Sequence, residues 1–146
     1  MADLFGDWVP DEWIQEVFKA CERAPQHKYL FLTKNPNRYY SFYDQCPKNF
    51  WFGASAVNKP DEKVISNGDG SLSVEPLLTD VAADACFDFV SWVIVGQQTG
   101  PGAKPPEEKW VWHIVERCKA AKVPVFIKSP LYRLCPIQEW PEGMRI

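Results

Sequence analysis

The sequence predicts an α/β domain built on a mostly parallel five-stranded sheet with flanking helices, and three observations predict it. Five short apolar runs end on small or polar residues: Tyr29–Thr33, Phe50–Phe52, Leu72–Val74, Trp92–Val95 and Val123–Ile127. The runs are near-continuous rather than alternating, the pattern expected of strands buried on both faces. Helical patterns separate several of them, which favours parallel crossovers. Ligands of parallel sheets sit outside the carboxyl ends of the strands, so the residues that close each run mark where a site is expected.

The elements follow in order. A first helix is predicted from Pro10 to the break at Pro25 and Gln26, with Asp11 and Glu12 in its first turn, where acids favour the helix dipole. Trp13, Ile14, Val17, Phe18 and Cys21 give it an apolar stripe. Asn35-Pro36 is a start signal for a second helix over 36–45, carrying Tyr39, Tyr40, Phe42 and Tyr43. The stretch from Ala56 to Gly70 is only just long enough for a crossover; it has a brief candidate helix over 61–66 and a turn at Asn67-Gly68-Asp69-Gly70. A short helix is expected over 79–88. The last helix starts at Pro106, buries Trp110, Val111, Ile114, Val115 and Cys118, and places Lys119 and Lys122 at its C-terminal end. All 146 residues are expected to form a single domain, with 129–146 as an irregular C-terminal wrap.

Composition narrows the function classes. Hydrophobic residues at 46% and charged residues at 24% are ordinary for a globular chain and argue against wholesale disorder. The formal net charge of −3 gives no electrostatic footprint for a polyanion, so nucleic-acid binding is not expected. The seven Trp and nine Phe read as core filling rather than as a base-stacking platform. No apolar run approaches the length of a membrane helix and the N-terminus has no signal-peptide pattern, so the expected location is cytoplasmic. The five cysteines, at 21, 46, 86, 118 and 135, have neither a disulfide framework nor zinc-type pair spacing and are read as structural thiols, with no metal site.

Candidate ligand-binding residues close the apolar runs: Lys34, Ser55, Glu75, Gly96, Gln98 and Lys128. Glu75 follows a strand directly and precedes Pro76, which keeps it extended. A carboxylate there can bind a hydroxyl, an amine or a metal, or can serve as a structural acid paired with Lys34 or Lys128. The loop Gly96–Gly102 is glycine-rich and follows a strong strand, so its backbone can approach a ligand closely. It is neither G-x-G-x-x-G nor a P-loop. His27 precedes its strand, and His113 lies mid-helix beside the apolar stripe, so neither is a catalytic candidate. No nucleophile–base or paired-carboxylate motif is visible, and the catalytic residues are not assigned.

Several segments together resemble a phage-associated family of unknown function related to radical S-adenosylmethionine enzymes. They are Asp3–Trp13, Tyr29–Pro36, Trp51–Gly53, Ser73–Leu78, Trp92–Gly96, Thr99–Ala103 and Val123–Lys128, in order over nearly the whole chain. The resemblance implies a (β/α) barrel-like sheet, here incomplete, with its site at the carboxyl ends of the strands. For full-length relatives it implies S-adenosylmethionine and an iron–sulfur cluster held by an N-terminal three-cysteine motif. This chain matches the part after that motif, so no cofactor is expected of the chain itself. The family's usual Gly-Gly-Glu-Ser-Gly loop reads Gly96-Gln97-Gln98-Thr99-Gly100 here, and the segment between Ser55 and Ser73 is shorter than its counterpart.

Three functions follow as expectations. The first is a truncated or diverged radical-enzyme-like domain without its own cluster, not catalytic alone. The second is a small nucleotide- or anion-binding α/β domain, and the third a phage-derived interaction module. An open sheet would expose an edge strand, so the expected partners are a second copy of the chain or a missing N-terminal segment.

Overall fold

In the computed structural model, residues 3–42, 44, 46–57, 70–83, 87 and 90–144 are described. Helix α1 (Asp11–Glu22) takes Pro10 as its N-cap and carries Asp11 and Glu12 in the first turn. It buries Ile14 and Phe18, four residues apart and therefore on one face. Trp13, expected on the buried stripe, is exposed instead, because each helical step rotates about 100° and turns it away from Ile14. Strand β1 (Tyr29–Thr33) follows. The helix expected over 36–45 is a 3-10 segment, Pro36–Ser41. Asn35 makes no capping bond there; its side-chain amide donates to the Phe5 carbonyl and to Asp7.

Strands β2 (Phe50–Ala56), β3 (Ser71–Val74) and β4 (Trp92–Val95) come next, then helix α2 (Glu108–Ala121) and strand β5 (Val125–Ile127). The short helix expected over 61–66 falls outside the described residues. Of the one expected over 79–88, the described part is a 3-10 turn at Val81–Ala83. Helix α2 buries Val111, Ile114, Val115 and Cys118, as its periodicity predicts, while Trp110 is only partly covered.

The five strands form one sheet in the order β1-β2-β3-β4-β5, and every pairing is parallel. Sequential neighbours joined by right-handed crossovers put all their connections on the same side of a sheet. The core follows that rule. Tyr29, Phe31, Phe50 and Phe52 share one face by register and pack with Ile14 and Phe18 in an aromatic cluster that also holds Phe5, Tyr39 and Phe42. On the same face, Leu72, Val74, Val93, Val95, Val125 and Ile127 pack with α2 and the Val81–Ala83 turn in an aliphatic cluster. The rings meet mostly edge to face, with Phe5 and Tyr39 centroids 4.6 Å apart.

The other face carries Leu30 and Leu32 of β1, Trp51, Gly53 and Ser55 of β2, Ser71 and Ser73 of β3, Ile94 of β4 and Phe126 of β5. None of these belongs to either core cluster, and Leu30 and Leu32 are 48% and 50% exposed. The expectation of strands buried on both faces is therefore wrong for β1: one-sided crossovers leave nothing above it. At the far end the C-terminal segment does cover this face. Ile127 N–H donates to Ile137 O and Glu139 N–H to Val125 O, so residues 137–139 run antiparallel along the outer edge of β5. Trp140 then packs on Trp92 and Phe126. The tail read as an irregular wrap thus contains an edge pairing. Among the described residues, no helix is long and apolar enough to cross a membrane.

Phe18 contacts the rings of Phe5, Phe31, Phe42, Phe50 and Phe52. Phe18→Ala is expected to lower the stability by about 3–5 kcal/mol, as large-to-small changes of buried aromatics do. Urea denaturation of the two proteins measures it.

Candidate functional site

The uncovered face becomes polar toward the carboxyl ends of the strands. Because side chains alternate, Glu75 continues the row of Ser71 and Ser73, Gly96 that of Trp92 and Ile94, and Lys128 that of Phe126. Glu75, Gly96 and Lys128 therefore stand side by side on three adjacent strands. Lys128 Nζ donates to both Glu75 oxygens, at 2.8 and 2.7 Å, across the intervening β4. Gly96 makes that crossing possible, since a Cβ there would lie 2.6 Å from Glu75 Oε1. The glycine is thus required for space around a side chain, whereas the sequence suggested close backbone approach to a ligand. Of the two lysines proposed as partners of Glu75, the geometry selects Lys128; Lys34 is exposed at the end of β1.

A second wall comes from the N-terminal segment. Asp3 accepts from Thr33 Oγ1 at 2.8 and 2.9 Å, from Lys34 N–H at 2.9 Å and from Phe5 N–H at 3.0 Å. Arg38 holds the same segment from outside, donating to the carbonyls of Gly6 and Val9 and to Asp11. Partial burial alone would raise the Asp3 carboxyl. The donors from Lys34, Thr33 and Phe5, with the Lys34 ammonium beside them, outweigh that and hold it below the usual carboxylate range.

Between the two walls lies a cavity of about 720 Å³, a volume ordinary for small-molecule sites. Ser55 and Ser73, paired in register on β2 and β3, lie in its floor; Trp8, Lys34, Glu75 and Gln98 line its sides. Five of the six sequence candidates, Lys34, Ser55, Glu75, Gln98 and, through Glu75, Lys128, are thereby gathered at one opening, with Gly96 beneath the ion pair. Asp3, Asp7, Trp8 and Asn35 line it too and were not singled out from the sequence. Nothing local marks them, since the N-terminal segment reaches this edge only by folding back onto Thr33 and Asn35.

His113, read as a packing residue, has a specific partner: its Nδ1 lies 2.9 Å from Asp80, which ties α2 to the turn after β3. Neither residue lines the cavity.

The described cysteines do not fit an iron–sulfur cluster. Cys21 is on α1, Cys46 precedes β2, Cys118 is on α2 and Cys135 is in the C-terminal segment, and the described residues contain no group of three metal-binding side chains. Burial pushes Cys46 up to about 11 and Cys118 up to about 12, and raises Cys21 and Cys135, as for thiols packed as small apolar groups. Cys86 lies outside the described residues.

Residues 1–130 match the family described as Protein of unknown function (DUF5131), and the chain belongs to that family. No curated protein and no solved structure matches the chain.

Asp3 ties the N-terminal wall to β1 through a carboxylate, so its contribution depends on pH. A folded-state pKa below the unfolded value gives stability that is present above the ordinary carboxyl pKa near 4 and lost as pH falls through the folded value. Asp3→Asn is expected to cost about 1 kcal/mol at pH 7. Its gap from the parent protein, followed by urea denaturation at successively lower pH, should narrow below about pH 4.

Proposed function

We propose that this member of the family binds a small polar ligand, of about nucleotide size, in the cavity over the carboxyl ends of β1 to β4, and serves as a binding domain rather than as a self-contained catalyst. The observation that carries this is the Glu75–Lys128 pair laid across Gly96 at the cavity's edge. Glu75 is 32% and Lys128 43% exposed, so the pair is worth under about 1 kcal/mol to folding. An ion pair that stabilises so little, in a place that needs a bare glycine, is better explained by what it presents to the opening: the Glu75 carboxylate, held in a fixed position by Lys128.

The second reading is a diverged radical-enzyme-like domain of phage origin, without its own cluster. What favours it is the topology. Consecutive parallel strands with all crossovers on one side are the arrangement that closes into a (β/α) barrel, and the uncovered face with Gly53, Ser55, Ser71 and Ser73 stands where a barrel has its interior. Under this reading S-adenosylmethionine is among the ligands to try, and a second copy or a separate segment would cover the face beside β1.

Titration with a panel of nucleosides, nucleotides, amino acids and S-adenosylmethionine tests the proposal. Glu75→Gln and Lys128→Ala are each expected to weaken the binding member of the panel roughly tenfold, about 1.4 kcal/mol, with folding stability changed by less than about 1 kcal/mol. Affinities identical to the parent protein's for every binding member would remove the pair from the site.

A further inference from the structure

The floor of the cavity holds a buried polar group that the fold does not use. Ser73 is only 4% exposed, yet among the described residues its hydroxyl has no protein partner. No buried side-chain oxygen of the described residues is both sealed from solvent and unpaired, so the Ser73 hydroxyl keeps an opening, and the opening is the cavity that it lines. Ser55 stands beside it in register, lines the same cavity and likewise has no side-chain partner among the described residues. A hydroxyl at that depth is satisfied only by what fills the space above it.

Most of the carboxylate oxygens around the cavity are already committed. Asp3 is occupied by Thr33 and two backbone N–H groups, Asp7 accepts from Asn35 at 2.7 Å, and both Glu75 oxygens are held by Lys128. Three carboxylates of the lining, Asp3, Asp7 and Glu75, stand against two ammonium groups, Lys34 in the lining and Lys128 on Glu75, a balance that does not favour phosphates and carboxylates. Apart from the Lys34 ammonium and the second Asp7 oxygen, the groups left for a ligand are neutral: the hydroxyls of Ser55, Ser73 and Thr99 and the amides of Gln97 and Gln98. Each of them both donates and accepts, as the hydroxyls of a polyol do.

One wall is flat and apolar. Trp8 is 75% exposed, and its indole lies against the backbone of Gly6, where a Cβ would fall 2.5 Å from the ring. One ring face is thus backed by the chain while the side chain opens on the cavity. Aromatic walls of this kind take the apolar face of a ring.

We propose that the cavity takes an uncharged ring bearing neighbouring hydroxyls, stacked on Trp8 with its hydroxyls on Ser55 and Ser73. The inference rests on the ligand-binding function above and gives its ligand a chemical class. A pyranose and the ribose of a nucleoside share that chemistry.

The test is an NMR titration of the full chain with methyl glucoside and maltose as saccharides, adenosine as the nucleoside, and adenosine monophosphate and spermidine as charged probes. At least one neutral polyol is expected to shift the Ser55 and Ser73 amides and the Trp8 indole N–H, with adenosine monophosphate weaker than adenosine. Whichever neutral arm binds more tightly identifies the source of the ring. Ser73→Ala removes a hydroxyl that no protein group uses, so it should fold as stably as the parent while weakening that polyol roughly fivefold or more. Trp8→Ala should weaken it at least as much. A charged probe binding more tightly than every neutral polyol, or Ser73→Ala leaving the polyol affinity unchanged, overturns the polyol class and leaves a small-molecule site standing. If no probe perturbs Ser55, Ser73, Glu75 or Lys128, the class and the ligand-binding function both fall.

Discussion

The structure depends on one topological constraint: five parallel strands laid down in sequential order, each joined to the next from the same side. That order leaves no point at which the direction of winding reverses, so both α-helices pack on a single face of the sheet. Most of the large core side chains of the strands consequently alternate toward that face, the buried Trp92 under Trp140 being the exception. The opposite face is released from the demands of the core and can carry serine and glycine without opening a void in it. Core and candidate site are separated by the thickness of one sheet.

The same register explains why the polar groups meet. Glu75, Gly96 and Lys128 are far apart in sequence, but each is the next same-face position beyond its strand. Three adjacent strands of similar length, in parallel, bring such positions into one row. The middle member then decides whether the outer two can touch, and with glycine there they do, at 2.7 Å. A larger residue in the middle would have left an acid and a base facing solvent separately. The feature that looks like loop chemistry in the sequence is a strand-register device.

Much of this was legible in the sequence because it rests on periodicity. The five apolar runs became the five strands, and the α2 stripe of Val111, Ile114, Val115 and Cys118 became its buried face. Both depend only on where apolar residues recur. The exposure of Leu30 and Leu32 was not legible, since a run buried on one face at an edge strand reads the same as one buried on both. Nor was the 3-10 segment after Asn35, where a good capping residue spends its side chain on Phe5 and Asp7 instead. The strand-end candidates were found by position alone. Asp3 and Trp8 escaped because their roles come from a chain segment folding back over β1, which no local pattern records.

That segment joins stability to function. Phe5 is buried in the aromatic cluster on the helix side of the sheet, while Trp8, three residues later, stands at the cavity on the carboxyl edge. Asp3 fixes the turn between these environments by holding Thr33 and the Lys34 amide, and Arg38 clamps the carbonyls on either side of Trp8. The aromatic cluster therefore acts as an anchor for one wall of the site. The other wall, Glu75 with Lys128, is anchored through β3 to β5 in the aliphatic cluster. Ser55 and Ser73 lie where the strands of the two clusters adjoin, so the floor of the cavity joins two separately packed halves. A ligand resting on both serines would bridge those halves, and its binding should be sensitive to how firmly β2 and β3 are paired.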